Sequence, residues 1–436
     1  MVRHIPGFNC GKFKDFKEGN MRKAAVVLGA LAVLGGLVWA QDVTIMVVWS
    51  GAELEAFQKT VEAFEEKTGI DVKVESVGRD LPTVLVTRFE AGNPPDLAAM
   101  PNPGQMAEFV ARGGLVPVEG FVDLSQHPKA FVDLATVGDH VYGIFISADL
   151  KSLVWYNPDA LYAEGLAPAD SWDELMYITE VLASRGKTPW AVGLESGAAS
   201  GWPGTDWIED IMLRTAGPEL YDKWVAHEIP WTHPAVRRAF QLFGAIVKNE
   251  AYVYGGTTGA LSINFGDSPA VLWDEPPGAY LHRQATFIKS FIEGAHPELD
   301  LERDVSFFVF PPIDPKWGTP LLGAGDLISA FRDTPEVEAF LQYLASAEAQ
   351  AIWCGALGKL AINVNVPAEI YPDKLTADAA EILKGAEIFR FDGSDLMPAA
   401  VGSGAFWTGV LDYVSGVDLD TVLQNIEQAA QEAYGG

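Results

Sequence analysis

The residue types that most often carry out catalysis or bind metals occur in this chain, but not at the spacings that such sites need. His227 and Glu228 are followed by His233, whereas a zinc-binding helix of this type needs its histidines four residues apart. The glycines before Lys359 have the wrong spacing for a phosphate loop, and no Gly-x-Ser-x-Gly nucleophile motif occurs. Seven scattered histidines do not make a metal site either. The motifs therefore favour a protein that is not an enzyme and that needs no metal or cofactor.

Aromatic side chains with nearby carboxylates, amides and basic groups are the combination that does recur, in stretches whose composition predicts loops. Trp190, Trp202 and Trp207 cluster around a Gly- and Ser-rich segment, residues 196–205, that has no clear period. A pyranose has an apolar face that stacks on an aromatic ring and an edge of hydroxyls that need charged or amide partners. These residues suit a sugar-binding site, against the alternative that most of the 13 tryptophans pack in the core or in structural loops.

Length, composition and charge narrow the class of protein further. A chain of 436 residues predicts two or three structural units, and 49% apolar residues predict a packed globule rather than a disordered acidic chain. The 30 Lys and Arg against 59 Asp and Glu give a net charge of −29, which offers no electrostatic footprint for DNA or RNA. We therefore expect no nucleic-acid partner.

The N-terminal region reads as a secretory signal that begins at Met21. A basic start precedes an apolar run over residues 24–39, and the small residue Ala40 fits the last position before a cleavage site. The apolar run is shorter than the roughly 20 residues that a membrane-spanning helix needs. We therefore predict that residues 1–20 come from an upstream start, that residues 21–40 are a signal peptide, and that the mature chain is exported.

Cysteine usage and charge agree with an exported, freely diffusing chain. Cys10 lies before the predicted cut, so Cys354 is the only cysteine of the mature chain and no internal disulfide can form. The residue directly after the predicted cleavage point is Gln41 and not a cysteine, so a lipid anchor is not predicted. Residues 1–40 hold six of the basic and two of the acidic residues, which leaves the mature chain with a net charge of about −33 and keeps it soluble. These features predict a periplasmic or other extracytoplasmic location.

Hydrophobic periodicity places these residues on alternating strands and helices. The apolar run over residues 42–49 predicts a strand buried on both faces, and apolar residues at helical spacing over 54–64 predict a helix that ends at Gly69. Further along, the pattern predicts strands over 70–74, 97–100, 141–147 and 153–156, the last two separated by the polar stretch 148–152. It predicts a helix over 81–91 and further helices that begin at the capping box Ser171 to Glu174 and at Thr334-Pro335. Residues 196–205 are predicted to form a loop. The alternation predicts an α/β fold of doubly wound sheets.

Landmark motifs spread along the chain carry a resemblance to a known family. They include Val47-Val-Trp-Ser-Gly51, Gly92-Asn-Pro-Pro-Asp96, Leu153-Val-Trp-Tyr-Asn157, Gly266-Asp-Ser-Pro-Ala270, Gly323-Ala-Gly-Asp326, Thr205-Asp-Trp-Ile-Glu-Asp210 and Asp395-Leu-Met-Pro398. In this order they resemble the extracellular solute-binding proteins of ABC transporters for sugars, over residues 43–434. The last two motifs look specifically like the branch that serves α-glucosides.

The resemblance implies the type II periplasmic-binding-protein fold, in which two α/β lobes close over a ligand in the cleft between them. Lobe one would hold residues 41–149 and 321–358, and lobe two would hold 150–320 and 359–436. It implies a monomeric, cofactor-free receptor that passes a neutral sugar of the maltose, trehalose or sucrose class to ABC permease subunits in the membrane. A receptor for a monosaccharide or polyol and, from another class, a secreted glycosidase remain the alternatives.

On the family's pattern, ligand contacts would come from both lobes and from the crossing between them. The expected contact residues are Glu53, Arg79, Asp80, Asn102, Gln105, Asp149, Lys151, Trp202, Asp206, Trp207, Trp273, Asp274, Tyr280, Arg283, Asp326, Asp395 and Trp407. The chain departs from the pattern at Pro101, where many relatives carry an acid, and at Tyr280, where relatives commonly have a stacking tryptophan. Structural roles remain the alternative for several of them: an exposed first-turn carboxylate for Glu53, a hinge ion pair for Asp149 and Lys151, and burial for Trp202 and Trp207.

Overall fold

Strands and helices alternate along the chain. The computed structural model describes residues 42–435, so the predicted upstream segment and signal peptide lie outside the described residues. Within that range the strands are β1 (Val43–Val47), β2 (Val72–Ser76), β3 (Leu97–Met100), β4 (Thr136–Val137), β5 (His140–Val141), β6 (Ile144–Leu150), β7 (Leu153–Tyr156), β8 (Leu281–Arg283), β9 (Ser306–Val309), β10 (Leu321–Ala330) and β11 (Phe389–Phe391). The α-helices of the same range are α1 (Gly51–Thr68), α2 (Leu81–Glu90), α3 (Pro103–Ala111), α4 (Lys129–Leu134), α5 (Pro158–Ala163), α6 (Trp172–Ser184), α7 (Trp202–Ala216), α8 (Pro218–Val225), α9 (Pro234–Val247), α10 (Gly256–Ser262), α11 (Ile288–Ala295), α12 (Leu301–Asp304), α13 (Pro335–Leu344), α14 (Ala347–Leu357), α15 (Lys374–Lys384), α16 (Gly393–Leu396), α17 (Trp407–Ser415) and α18 (Leu419–Tyr434).

The opening of the described chain is the strand–helix–strand unit that the pattern predicts. Strand β1 pairs in parallel with β2 and with β3, and helix α1 buries Phe57, Val61 and Phe64 at helical spacing. Gly69 adopts the left-handed conformation, with φ of 73°, and its N–H bonds the carbonyl of Glu65, which ends the helix. The predicted first strand, first helix and helix stop are confirmed.

The larger sheet has six strands and is mixed. Its order is β11-β10-β3-β1-β2, and β6 pairs antiparallel with the long strand β10. A three-stranded antiparallel sheet, in the order β8-β7-β9, contains the next strand along the chain. Because β1 and β3 are parallel, the residues that follow them, Trp49 and Asn102, lie at the same edge of the large sheet.

The polar stretch predicted to separate two strands is mostly strand itself. Strand β6 continues through Asp149 to Leu150, so only Lys151 and Ser152 lie between β6 and β7. The carboxylate of Asp149 is buried and accepts a hydrogen bond from the hydroxyl of Thr286, which lets a charged residue occupy a buried strand. The prediction that residues 148–152 separate two strands is therefore wrong in its extent, whereas the strand over 153–156 is confirmed.

The segment predicted as a loop over residues 196–205 ends in a helix. Helix α7 begins at Trp202, with Pro203 in its first turn, where a missing N–H costs nothing. A Cβ on Gly204 would lie 2.4 Å from the side chain of Val410, so the glycine serves close packing of α7 against α17 rather than a turn. The loop prediction is wrong for Trp202 to Thr205, because proline and glycine mark helix starts and close contacts as well as loops.

Two predicted helix starts have the expected caps. The hydroxyl of Ser171 accepts the N–H of Glu174 at the start of α6, and the hydroxyl of Thr334 accepts the N–H of Val337 at the start of α13. Both capping predictions are confirmed. Among residues 42–435, no helix combines the length and the apolar character that crossing a bilayer requires.

Candidate functional site

A cavity of about 120 Å³ lies at the edge of the large sheet where the chain leaves β1 and β3. Its walls combine aromatic rings with buried charges. The rings belong to Trp49, Trp202, Phe287, Phe291 and Trp407, and the charged groups to Glu53, Asp149, Lys151, Asp326, Lys359, Asp392 and Asp395. A small number of polar groups in an otherwise apolar concave site is the usual composition of a small-molecule site.

Lys359 provides one of the two ammonium groups in the cavity wall. Its Nζ lies 2.7 Å from Asp326, 3.4 Å from Glu53 and 3.7 Å from Asp149. The same Nζ lies 5.3 Å from the centre of the Trp353 ring. Burial alone lowers the pKa of Lys359, but the three carboxylates outweigh burial and raise it above the usual value. Lys359 is therefore a fixed positive charge with three acid partners.

The acids around Lys359 are held by hydrogen bonds within the large sheet. One oxygen of Asp326 accepts the indole N–H of Trp49 at 3.2 Å, and the other accepts the hydroxyl of Ser147. A β-bulge interrupts the pairing of β10 with β6 between Asp326 and Leu327, a feature that re-aims a side chain next to a site. Burial raises the pKa of the Asp149 carboxyl, and nearby Lys359 opposes that effect. The sheet backbone thus fixes this wall.

Lys151 provides the second ammonium group. Its Nζ lies 2.9 Å from Asp206, forms a further ion pair with Asp392, and lies 5.3 Å from the centre of the Trp202 ring. Burial alone lowers the pKa of Lys151, but these acids raise it well above the usual value. Burial raises the pKa of Asp206 to about 7, whereas Lys151 outweighs burial at Asp392 and lowers its pKa to about 2.

The two tryptophans at the helix starts of α7 and α17 form an aromatic wall. The Trp202 ring contacts the rings of Phe265 and Phe287, with centroid distances of 5.1 and 5.9 Å. Trp407 follows a π-helical segment, Ala400–Phe406, a rare conformation that occurs mostly at functional sites. Gly201 has φ of 108°, and a Cβ there would lie 2.4 Å from the carbonyl oxygen of Trp407, so only glycine allows the two helix starts to approach this closely.

A third part of the wall joins α3 to the segment before the π-helix. The amide of Asn102 donates a hydrogen bond to Asp395, and both residues line the cavity. A Cβ on Gly104 would lie 2.1 Å from the carbonyl oxygen of Met397, so α3 touches the backbone of this segment directly. These contacts close one side of the cavity with hydrogen-bonding groups.

Ten of the seventeen sequence-predicted contact residues are brought together at this place. Eight line the cavity itself: Glu53, Asn102, Asp149, Lys151, Trp202, Asp326, Asp395 and Trp407. Asp206 and Arg283 do not line it but lie behind Lys151, since Arg283 is 3.7 Å from Asp206. Their direct contact with a ligand stays a prediction, and the grouping gives the cavity the polar and aromatic surfaces that the sequence predicted.

Of the other seven predicted residues, six lie outside the cavity wall. Three aromatic residues have structural partners: the Trp207 ring packs against Trp190, the Trp273 indole donates to the carbonyl of Asp304, and the Tyr280 hydroxyl accepts from Lys187 at 2.8 Å. Gln105 is buried in α3, whereas Asp80 and Asp274 are exposed. The side chain of Arg79 lies outside the described part of the structure. The sequence cannot tell a cavity tryptophan from a core one, because both have the same composition signal.

Several wall residues are not among the sequence-predicted contacts. These are Trp49, Phe287, Phe291, Lys359, Asp392 and Ser394. For Lys359 the sequence does contain a signal, a single charged residue next to an apolar run. Lys359 follows Gly358, which ends α14 in the left-handed conformation, and precedes the apolar residues 360–362. A single lysine beside a buried apolar run needs acid partners, so such a lysine is a candidate member of a buried polar site.

Comparison with known proteins shows the family to which the chain belongs. The model of the family described as bacterial extracellular solute-binding protein matches residues 49–351. The chain belongs to this family. The osmoprotective compounds-binding protein GgtB of Synechocystis sp. is 44% identical over 394 residues, which cover 89% of this chain and 92% of that protein. The alpha-glucosides-binding periplasmic protein AglE of Rhizobium meliloti is 37% identical over 435 residues, which cover 97% of this chain and 90% of that protein.

Solved structures of solute-binding proteins agree with the fold. A chitin oligosaccharide binding protein superposes with a TM-score of 0.78 at 19% identity and covers 91% of this chain and all of that chain. The expected two-lobe α/β fold class is confirmed by this likeness, and the solute-binding role in an ABC importer is confirmed by the family match and the two relatives. The family consists of binding proteins of transporters rather than enzymes. The lobe boundaries expected from the sequence stay a prediction.

Proposed function

We propose that this solute-binding protein captures a neutral α-glucoside, or a related small glucoside, in the cavity between the Lys151 and Lys359 walls. The observation that carries the proposal is the combination of the Trp202 and Trp407 rings with buried carboxylates and ammonium groups in one concave site. The rings offer flat apolar surfaces to the sugar face, and the charged groups replace the water that hydroxyls lose. The family member AglE, 37% identical, is named for binding alpha-glucosides, which supports the same ligand class.

The size of the cavity favours a second candidate, a smaller polyhydroxy solute such as a monosaccharide or polyol. A volume of about 120 Å³ is well below the roughly 300–1,000 Å³ of most small-molecule pockets, so a disaccharide needs the walls to move apart. The relative with 44% identity is named for binding osmoprotective compounds, a name that does not specify how many sugar rings the ligand has. We therefore include single-ring and polyol ligands in the test.

We further propose that binding shifts the lobes toward a closed form that an ABC permease recognises. The proposed lobes are residues 41–149 with 321–358 and residues 150–320 with 359–436, and the chain after Ser147 would form the hinge. A ligand that contacts both lobes shifts the population of the closed form by its differential affinity for it. Export through a signal peptide over residues 21–40, a monomeric state and a permease partner complete the proposal.

A thermal-shift screen of the purified chain tests the ligand class. The panel contains maltose, trehalose, sucrose, glucose and glycerol, because a ligand that binds only the folded state raises the melting temperature by mass action. We expect at least one glucoside to raise it, and the sugar to be recovered intact afterwards. Absence of any shift would contradict the proposal, and hydrolysed sugar would favour the glycosidase alternative.

Substitutions in the aromatic wall locate the site. We expect Trp407→Ala and Trp202→Ala to weaken binding of the sugar found in the screen by at least about tenfold, since stacked rings contribute about 1 kcal/mol or more each beyond their buried area. Trp317→Ala is the matched control, because Trp317 is also a half-buried tryptophan but lies outside the cavity wall. Equal loss of affinity in all three variants would mean that the cavity is not the binding site.

A further inference from the structure

The acids and bases behind the Lys151 wall form a buried network with an unbalanced charge count. Its members are Asp206, Glu209, Asp210 and Arg214 on α7, Arg283 on β8, Lys151 between β6 and β7, and Asp392 before α16. None is more than 5% exposed. With every group in its ordinary ionised form, four acids face three bases. An uncompensated charge in such a place is costly, so the network is stabilised by binding at least one proton.

The hydrogen bonds of Asp206 point to the place of that proton. One oxygen, Oδ1, accepts from Lys151 at 2.9 Å, whereas the buried Oδ2 accepts no hydrogen bond from the described residues and lies 3.7 Å from Arg283. The same ammonium group of Lys151 also pairs with Asp392, so two carboxyl groups meet at one cation. Two buried carboxylates at one cation repel each other, and a proton on one of them removes that repulsion and allows a hydrogen bond between them.

Asp392 has the partners of an ionised carboxylate. It accepts from the ammonium group of Lys151, from the hydroxyl of Ser394 at 2.7 Å and from the N–H of Asp395 at 3.1 Å. The remaining acid near this pair, Glu209, accepts the N–H groups of Gly393 at 2.7 Å and Ser394 at 2.9 Å and the hydroxyl of Tyr221 at 3.3 Å, and burial raises its pKa well above the usual value. Asp392 faces a donor on each oxygen, which leaves Asp206 as the acid of the pair that donates.

One further acid and two arginines complete the surroundings of Asp206. Arg283 approaches from β8, and Asp210, one turn along α7, is held by the guanidinium groups of Arg214 and Arg283. Asp210 is thus compensated without a proton. Burial raises the pKa of Asp206 to about 7, with Lys151 and Arg283 opposing and Asp392 adding to the rise, which agrees with the geometry.

We propose that Asp206 is a positioning residue that carries a proton in the solute-binding form and thereby sets the affinity of the Lys151 wall. The inference rests on the proposed function, because Lys151 lines the cavity that we assign to the solute. With Asp206 neutral, Lys151 has one charged partner, Asp392, and keeps N–H groups for solute hydroxyls. Loss of the proton breaks the contact between the two acids and draws Lys151 toward a second negative charge. Solute affinity therefore falls as the pH rises past neutrality.

Calorimetric titration with trehalose and with maltose, at pH values from about 6 to about 9, tests the coupling. We expect the Kd of the unmodified protein to rise over this range, by at most about tenfold per pH unit. Asp206→Asn has the shape of the protonated acid, so its Kd should stay near the low-pH value of the unmodified protein at every pH. A flat profile in the unmodified protein, or an unchanged slope in Asp206→Asn, would overturn the proposal.

A measurement without ligand separates this inference from the proposed function. The folded state keeps the Asp206 proton up to a pH of about 7, whereas the unfolded chain releases it above about 4, so this group destabilises the fold as the pH rises between those values. The melting temperature of Asp206→Asn minus that of the unmodified protein should therefore increase from pH about 4 to pH about 7 and then stay constant.

Asp210→Asn is the matched control for the unfolding experiment, because Asp210 lies on the same helix at the same burial but is paired with two arginines. We expect this variant to melt lower than the unmodified protein at every pH. If Asp206→Asn instead lowers the melting temperature by a constant amount, Asp206 is ionised and the proposal fails, whether or not a sugar binds. If no sugar binds but the difference follows the expected course, only the proposed function fails.

Discussion

The two lysines in the cavity wall have the same kind of surroundings. Each ammonium group lies 5.3 Å from the centre of a tryptophan ring, and each pairs with an aspartate that also accepts a serine hydroxyl. For Lys359 these partners are Trp353, Asp326 and Ser147, and for Lys151 they are Trp202, Asp392 and Ser394. The same arrangement thus places a cation in the cavity wall twice: an acid neutralises it, a hydroxyl fixes the acid, and a ring covers one face.

The two clusters differ in what holds the acids. Asp326 and Ser147 are directly opposite each other on the paired strands β10 and β6, so the backbone ladder fixes them. Asp206 and Asp392 lie on a helix and on the turn before α16, so side-chain contacts hold them, with arginines behind. We therefore expect the Lys359 wall to be the more firmly held of the two, and the Lys151 wall to be the one whose charge changes with pH if the proposal for Asp206 holds.

Removal of Lys359 should have the largest effect on stability. Lys359→Met leaves Asp326, Glu53 and Asp149 near one another without their shared cation, and breaking a buried ion pair costs about 3–5 kcal/mol. Urea denaturation monitored by circular dichroism measures the loss. A loss below about 1 kcal/mol would show that the cluster is not rigidly held.

Removal of Lys151 should cost less, although Lys151 is as deeply buried. In Lys151→Met the acids Asp206 and Asp392 remain, but with the proposed proton on Asp206 only the charge of Asp392 is left without a partner. We expect a loss of about 2–3 kcal/mol in the unfolding free energy. If the two lysine variants lose the same free energy in parallel urea titrations, the clusters do not differ in protonation.

The two serines allow a finer comparison. Ser147→Ala removes a donor to Asp326 and also the acceptor of the Trp353 indole N–H, which lies 3.0 Å away. Ser394→Ala removes a hydroxyl that donates to Asp392 at 2.7 Å. We expect losses of about 2 kcal/mol and about 1 kcal/mol, in that order. The reverse order would mean that hydrogen bonds hold Asp392, at the turn before α16, more tightly than they hold Asp326 in the sheet.

A substitution outside both clusters sets the baseline. Thr334→Ala removes the cap of α13, in which the threonine hydroxyl accepts the N–H of Val337, and should cost about 1 kcal/mol. Solute affinity should not change, because Thr334 is not part of the cavity wall. A loss of affinity in proportion to the loss of unfolding free energy would show that affinity simply follows overall stability.

The regular parts of the fold could be predicted because their signals are local. The helix from Gly51 to Thr68 shows its apolar spacing and its terminal glycine in the sequence, and the cap at Thr334 shows as a residue type. The extent of β6 could not be predicted, because Asp149 and Lys151 look alike as charged residues, and only the partner across the fold, Thr286 or Asp206, decides which one continues a strand.

The site could be predicted in part because family motifs mark some of its residues. Trp202 and Trp407 were expected contacts, and both line the cavity. Trp207 carries the same signal but packs in the core against Trp190, because the helical period turns it away from Trp202. Lys359 was missed as a contact because its three acids come from positions that only the tertiary fold brings together.

Calorimetric titration of the unmodified protein and of Trp407→Ala with the panel's α-glucosides tests the central claim most directly. We expect one binding site in the unmodified protein, with a Kd of roughly micromolar order, which corresponds to about 8 kcal/mol. Trp407→Ala should bind at least about tenfold more weakly while it keeps its unfolding transition. Absence of binding by every sugar, or equal affinity in the two proteins, would contradict the assignment of this cavity as the sugar site.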